Sequence, residues 1–207
     1  MVPNKRTDIT AFILSGGKSS RIGTDKAFLN LNDQPTILRL IELLDSIFSE
    51  VAISSNQPEL YEFTKKKVIK DIVPDKGPIS GIHSALNSSN TIINFILSCD
   101  MPLVSREVIN YLCDFKSNKK ILLPRAQGRI QQLCGLYSKN ILTEVEMLLD
   151  ESSKPGSQTK GSIYELIDRV DAEIIDVDAQ IFYHPNLFFN VNTPEDYKRI
   201  KEIVSDK

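Results

Sequence analysis

The chain has 207 residues, 41% hydrophobic and 25% charged, with a formal net charge of -2. This length and composition favour one globular domain, residues 1–207. The chain lacks the excess of basic residues that is expected of a nucleic-acid-binding protein. It also lacks the apolar run of roughly 20 residues that is needed to span a membrane. The polar N-terminus lacks a signal-peptide core, and three widely spaced cysteines indicate neither a disulfide framework nor a zinc site, so we expect a cytoplasmic protein.

Apolar periodicity and turn residues predict strands that alternate with helices along the chain. The predicted strands cover residues 10–14, 51–55, 68–69, 92–97, 121–124, 133–137 and 173–177. The predicted helices cover residues 58–66 and 140–149 and begin near Thr36, Ile82, Ser105, Ile163 and Pro194. This alternation indicates an α/β three-layer sandwich, with a mostly parallel sheet between helices. The short connection between the strands at 121–124 and 133–137 favours a hairpin, so one strand is expected to be antiparallel.

A glycine-rich loop follows the first predicted strand, with the sequence LSGGKSSRIGTDK over residues 14–26. Glycines allow positive φ and let a ligand approach the backbone, and bare N–H groups in such a loop bind anions. Lys18, Arg21 and Lys26 add positive charge. The loop matches neither G-x-x-x-x-G-K-[ST] nor G-x-G-x-x-G. It therefore predicts a polyphosphate site of a different kind.

Asp100 directly follows the most apolar predicted strand and precedes the turn at Met101-Pro102. A carboxylate in this position is costly unless it is paired or binds a cation. Beside a phosphate loop we interpret it as a Mg²⁺ ligand, since magnesium often binds one or two carboxylates plus substrate phosphates. Asn192, just before Thr193-Pro194, either supplies a second oxygen or only stabilises a turn.

Four further positions have either a ligand-binding or a purely structural interpretation. Asn56 and Asp71 end the second and third predicted strands and either hydrogen-bond a base or sugar or serve as turn residues. Gly77 and Gly81 either bring the backbone close to a nucleotide or only shape the start of a helix.

Four stretches together resemble the molybdenum cofactor guanylyltransferase family of nucleotidyltransferases. They are the loop 14–26, residues 77–82 (GPISGI), residues 98–102 (SCDMP) and residues 190–196 (NVNTPED). The resemblance implies a Rossmann-like fold of the nucleotide-diphospho-sugar transferase type, and transfer of GMP from GTP to molybdopterin with Mg²⁺ as cofactor. Molybdoenzymes or cofactor-delivery proteins are further expected partners, whereas nucleic acid and membrane are not.

The resemblance also implies roles for individual residues. Arg21, Lys26 and Asp100 would be catalytic, and Asp100 and Asn192 would hold the metal. The positions that would line the nucleotide are Leu14, Ser15, Gly16, Gly17, Lys26, Asn56, Asp71, Gly77, Gly81 and Asp100, and Asn190 also matches an active-site position. Gln131-Gln132 stands where the family usually has a proline before the leucine, and Lys160 is the nearest candidate for a basic residue of relatives. The acceptor contacts therefore stay unassigned.

The expected mechanism is in-line attack by the acceptor's phosphate on the α-phosphorus of GTP, which needs positioning and charge neutralisation more than covalent catalysis. Two alternatives remain open. One is a related nucleotidyltransferase, either a cytidylyltransferase for the same pterin or an enzyme acting on a sugar or polyol phosphate. The other is a non-catalytic nucleotide-binding carrier of the cofactor.

Overall fold

Strands and helices alternate through residues 4–16 and 26–205, the part of the chain that the computed structural model describes. The strands are β1 (Arg6–Leu14), β2 (Asn30–Leu31), β3 (Gln34–Pro35), β4 (Phe48–Ser54), β5 (Lys67–Ile69), β6 (Ile93–Ser98), β7 (Ile121–Ala126), β8 (Arg129–Ile130), β9 (Cys134–Ser138) and β10 (Ala172–Asp176). The helices are α1 (Thr36–Asp45), α2 (Pro78–Ser88), α3 (Arg106–Asp114), α4 (Leu142–Ser153), α5 (Ile163–Arg169) and α6 (Pro194–Ser205). None of these helices is long and apolar enough to cross a membrane.

The main sheet has the strand order β10-β7-β9-β6-β1-β4-β5, and β8 pairs with β7 at its side. The pairs β1–β4, β1–β6, β4–β5 and β7–β10 are parallel. The expected antiparallel strand is β9, which lies between β6 and β7. The two-residue β8 is a further antiparallel strand that the sequence patterns did not predict. The prediction of a mostly parallel sheet is confirmed.

Helices cover both faces of the sheet, because successive side chains of a buried strand point to opposite sides. In β1, Ala11 and Ile13 pack in one cluster with α1 and α3. Phe12 and Leu14 belong to the other cluster, which contains buried residues of α2, α4 and α5. The predicted three-layer α/β sandwich is thereby confirmed.

Three local predictions differ from the structure. Helix α2 begins at Pro78, four residues before the predicted start near Ile82. The segment predicted as a helix over residues 58–66 is a 3₁₀ helix, Pro58–Thr64, which ends where Lys65 adopts a left-handed conformation. Helix α4 continues to Ser153, into the stretch 151–161 that its polar composition indicates as a loop. The hydroxyls of Ser152 and Ser153 both donate to the carbonyl of Leu149, so these polar residues are accommodated within the last turn.

The strand order reverses at β1. The chain passes from β1 through α1 to β4 on one side, and returns from β5 through α2 to β6 on the other. Leu14 pairs with Ser54 of β4 and Ser98 of β6, so the three carboxyl ends lie level. In α/β sheets, ligands bind in the crevice beyond the carboxyl ends of the strands at such a switch point.

Candidate active site

The glycine-rich loop leaves the sheet at this switch point. The carbonyl of Leu14 accepts a hydrogen bond from the Cys99 amide at 3.0 Å, and the Ser15 amide donates to the Ser54 carbonyl at 2.9 Å. The start of the loop is therefore held between the ends of β6 and β4. Gly16 is the last described residue before a gap, and the predicted site residues Gly17 and Arg21 lie outside the described residues.

The Ser15 side chain points into the protein. Its hydroxyl is hydrogen-bonded to the Tyr61 hydroxyl at 2.7 Å, and both residues are buried. Tyr61 therefore anchors the start of the loop. The sequence did not predict this role, because the position of a tyrosine in a short helix does not indicate which strand end its hydroxyl contacts. The Ser15 hydroxyl is thus engaged in the interior of the protein.

Lys26 and Asp100 lie together at the end of β6. The Lys26 ammonium is 3.7 Å from Asp100 Oδ2, and the two side chains are 21% and 18% exposed. The same ammonium donates to Asn192 Oδ1 at 2.5 Å. Three residues that the sequence placed in separate motifs thus converge on one point.

The turn that carries Asn192 is held by its own hydrogen bonds. The Val191 amide donates to the Asp100 carbonyl at 2.9 Å, which joins this turn to the end of β6. The amides of Asn192 and Thr193 both donate to Asp196 Oδ2 at 2.9 Å, and the Asp196 amide donates to the Thr193 hydroxyl. Burial acts to raise the pKa of Asp196, but these N–H donors outweigh it and the pKa is lowered. A charged cap therefore fixes the start of α6.

The second carboxylate oxygen of Asp100 is unsatisfied. Asp100 Oδ1 is buried and accepts no hydrogen bond within residues 4–16 and 26–205. An unpaired buried carboxylate oxygen carries a large desolvation cost, so this site is suited to a cationic ligand.

Asn56 and Asp71 form a reciprocal pair at the ends of β4 and β5. The Asn56 amide nitrogen donates to Asp71 Oδ2 at 2.8 Å, and the Asp71 backbone amide donates to Asn56 Oδ1 at 2.9 Å. Burial raises the pKa of the Asp71 carboxyl, against the opposing effect of the Asn56 donor. The pairing was not predicted, since the two residues are 15 positions apart and are brought together by the pairing of their strands.

The two predicted glycines differ in their surroundings. Gly77 precedes α2 with φ +71° and ψ −155°, a conformation that residues with a Cβ rarely adopt, and it is exposed. Gly81 is buried in α2, where a Cβ would lie 3.3 Å from a Leu14 methyl carbon and from the Ser54 hydroxyl. Gly81 therefore allows α2 to pack closely on the ends of β1 and β4.

The residues at which this sequence departs from the family pattern form local contacts. The Gln131 amide donates to the Pro124 carbonyl, and the Gln132 carbonyl accepts from the Tyr137 hydroxyl. Lys160 is exposed, and its backbone amide donates to Glu165 Oε1. Asn190 uses its amide group to bond the Phe188 carbonyl. None of these contacts joins the Lys26–Asp100–Asn192 cluster.

Comparisons with known proteins identify relatives in sequence and in fold. The crystal structure of molybdopterin-guanine dinucleotide biosynthesis protein A from Archaeoglobus fulgidus superposes with a TM-score of 0.80 at 24% identity, covering 96% of this chain and 100% of that one. At this identity the likeness shows the fold. A Clostridium perfringens (strain SM101) protein, "Probable molybdenum cofactor guanylyltransferase", is 38% identical over 94% of this chain and 98% of its own. A Carboxydothermus hydrogenoformans protein with the same name is 32% identical, covering 97% and 98%.

A polar site of this kind at the switch point of such a sheet, together with these relatives, defines a nucleotidyltransferase enzyme. The model of the MobA-like NTP transferase domain matches residues 11–167. The chain belongs to this family, and the resemblance to its molybdenum cofactor guanylyltransferase members is confirmed.

Proposed function

We propose that the chain transfers GMP from GTP to molybdopterin, giving molybdopterin guanine dinucleotide and pyrophosphate. The observation that carries the proposal is the convergence of Lys26, Asp100 and Asn192 where the glycine-rich loop leaves β1. The names of the relatives, "Probable molybdenum cofactor guanylyltransferase", support the choice of a guanine nucleotide and of an acceptor that belongs to the molybdenum cofactor.

The reaction is a single displacement at phosphorus. An oxygen of the acceptor's phosphate forms a bond to the α-phosphorus of GTP while the bond from that phosphorus to the α,β-bridging oxygen breaks. Pyrophosphate leaves with the bonding electron pair. Because the attacking phosphate is already an anion, the enzyme needs no general base, and its work is to align the groups and neutralise their charge.

Lys26 would supply the positive charge that the departing pyrophosphate needs. Its ammonium already lies at the carboxyl edge of β6, next to the start of the loop. Lysine is a common phosphate ligand that acts as a mobile point charge on a flexible stem. Arg21 would act on the same oxygens, as the resemblance implies.

Asp100 and Asn192 have the oxygen donors that fit a magnesium ion. The unsatisfied Asp100 Oδ1 provides a hard oxygen donor, and Asn192 contributes a carbonyl oxygen to the same cluster. No group of three or more His, Cys, Asp or Glu side chains suitable for a metal occurs among the described residues. Substrate phosphates would complete the shell, as is usual for Mg²⁺. When bound, the ion would neutralise charge on the phosphates.

Asn56 and Asp71 would contact the nucleoside. Their mutual hydrogen bonds hold the Asp71 carboxylate in a defined place while its Oδ1 has no hydrogen bond with any other described residue. A fixed carboxylate at a strand end is suited to accept N–H or O–H donors from a base or ribose.

The test is a pyrophosphate-release assay on the purified full chain with GTP, CTP or ATP, with and without molybdopterin. We expect release to require GTP, molybdopterin and Mg²⁺ together. Preference for CTP would instead indicate a cytidylyltransferase. Binding of GTP without any pyrophosphate release would indicate a non-catalytic carrier and would overturn the proposal.

A further inference from the structure

The Lys26 ammonium already contacts both residues that the metal site is proposed to use. It lies 2.5 Å from Asn192 Oδ1 and 3.7 Å from Asp100 Oδ2. With the side chains of Lys26 and Asp100 about four-fifths buried, the charges are only partly screened by solvent. An ammonium group therefore provides the positive charge at this carboxylate.

The backbone that carries these oxygens is held in place independently of Lys26. The Val191 amide ties the Asn192 turn to the Asp100 carbonyl, and Asp196 caps the same turn. The backbone at Asp100 and Asn192 would therefore keep its position if the lysine side chain moved away. Lys26, by contrast, is a long side chain that can rotate without disturbing either partner.

A divalent cation and the ammonium repel each other when both sit on this oxygen pair. We propose that Lys26 is a placeholder cation, which occupies the divalent-cation position until nucleotide phosphates draw its ammonium away. This inference rests on the proposed function, because it takes Asp100 and Asn192 as the metal ligands. Its consequence is that the free protein binds divalent cations weakly, and that the metal site opens only as nucleotide arrives.

The coupling is reciprocal in thermodynamic terms. Whatever moves Lys26 toward phosphate strengthens cation binding at Asp100, and a cation at Asp100 strengthens phosphate binding by Lys26. The two ligands thereby assemble a common site. A free cation without nucleotide meets a site whose charge is already balanced.

The inference is tested by Mn²⁺ binding to the full chain without nucleotide, measured from the electron paramagnetic resonance signal of the free ion. Lys26→Met keeps a long, unbranched side chain and removes its charge, and we expect it to bind Mn²⁺ at least ten times more tightly than the wild type. Lys26→Gln should give a gain in the same direction. Adding Asp100→Asn to Lys26→Met should remove the gain, which assigns it to this carboxylate.

Lys119→Met is the matched control. It removes the same charge from the ion pair between Lys119 and Asp171. These two residues precede the parallel strands β7 and β10, so the pair lies at the amino ends of the strands, away from the site. Its Mn²⁺ affinity should equal that of the wild type. The inference is overturned if both Lys26 variants bind Mn²⁺ no more tightly than Lys119→Met, or if the gain survives Asp100→Asn. Because no turnover is measured, this outcome is independent of the pyrophosphate assay.

Discussion

Asp100 combines two properties that a purely structural aspartate would not need. One oxygen faces the Lys26 ammonium, whereas the other is buried without a hydrogen bond in the described structure. A turn or cap aspartate normally satisfies its oxygens with backbone amides, as Asp196 does with the amides of Asn192 and Thr193. The contrast between these two carboxylates favours the ligand interpretation of Asp100.

Asp100→Ala should therefore reduce pyrophosphate release by at least about 10²–10³-fold, the usual cost of losing a group that stabilises transition-state charge. The variant should still fold, with a lower melting temperature, because removing one partner of a largely buried ion pair leaves the Lys26 ammonium without its counter-charge. Asp171→Ala, at the opposite edge of the sheet, is the control for activity. Wild-type turnover by Asp100→Ala would rule out the proposed role.

The ionised Asp71 carboxylate is expected to lower the free energy of unfolding at neutral pH. Its pKa is raised chiefly by burial, so the ionised form is less favourable in the folded protein than in the unfolded chain. Asp71→Asn should thus be at least as stable as the wild type at pH 7, and this advantage should shrink as the pH falls to about 4 and the wild-type carboxyl takes up its proton.

The same variant should bind GTP more weakly by roughly ten- to a hundredfold, since hydrogen bonds to a charged acceptor contribute about 1.5–3 kcal/mol. Urea denaturation at both pH values and GTP titration measure the two effects. Asp75→Asn removes an exposed carboxylate nearby and should leave GTP binding unchanged. A less stable Asp71→Asn protein at pH 7 would contradict the assignment.

At the scale of elements, the antiparallel strand β9 depends on a glycine. A Cβ at Gly135 would lie 2.5 Å from both the Leu122 carbonyl oxygen and a Leu123 methyl carbon in β7. Real Cβ contacts are essentially never so short, and one of the partners is backbone. The absence of a side chain therefore allows β9 to pack closely on β7.

Gly135→Ala should lower the free energy of unfolding by about 1–3 kcal/mol, because the strand pair must separate to make room. For a protein of this size, each kcal/mol corresponds to a fall in melting temperature of about 2–4 °C. Gly81→Ala is the matched control, since its contact is a milder 3.3 Å and alanine favours the helix by about 1 kcal/mol. Equal stability loss in both variants, by calorimetry, would argue against a special role for Gly135.

At the scale of the whole molecule, the cysteines are core residues rather than reactive groups. Cys99 and Cys134 are buried, and burial raises the pKa of Cys113 to about 12. At pH 8 a thiol with that pKa is ionised only to about one part in 10⁴, compared with about a quarter for an ordinary cysteine.

The folded protein should consequently react slowly with iodoacetamide at pH 8, and all three thiols should react quickly once urea unfolds the chain. Mass spectrometry after timed labelling measures this, and the labelled fraction should follow the loss of helical circular dichroism with increasing urea. Rapid labelling of Cys113 in the native protein would contradict the pKa shift.

Much of the architecture follows from local sequence patterns. The apolar runs of β1, β4 and β6 predict buried parallel strands because their side chains must be covered on both faces. Their boundaries differ from the prediction by a few residues, since strand ends depend on pairing partners. The polar residues that follow these strands predict a site at one edge of the sheet, and the family resemblance adds the type of reaction.

The contacts within the site were decided by the tertiary structure alone. Lys26 and Asn192 are 166 positions apart, and their hydrogen bond depends on the turn before α6, which the Val191 amide joins to the Asp100 carbonyl. The Asn56–Asp71 pair depends on the register of β4 and β5, and the Ser15–Tyr61 bond on a short 3₁₀ helix. Local patterns report burial and backbone preference, but distances across the fold arise only when the elements pack. The sequence thus determined which residues carry charge at the sheet edge, and the fold determined that the Lys26 ammonium rests on the Asp100 and Asn192 oxygens.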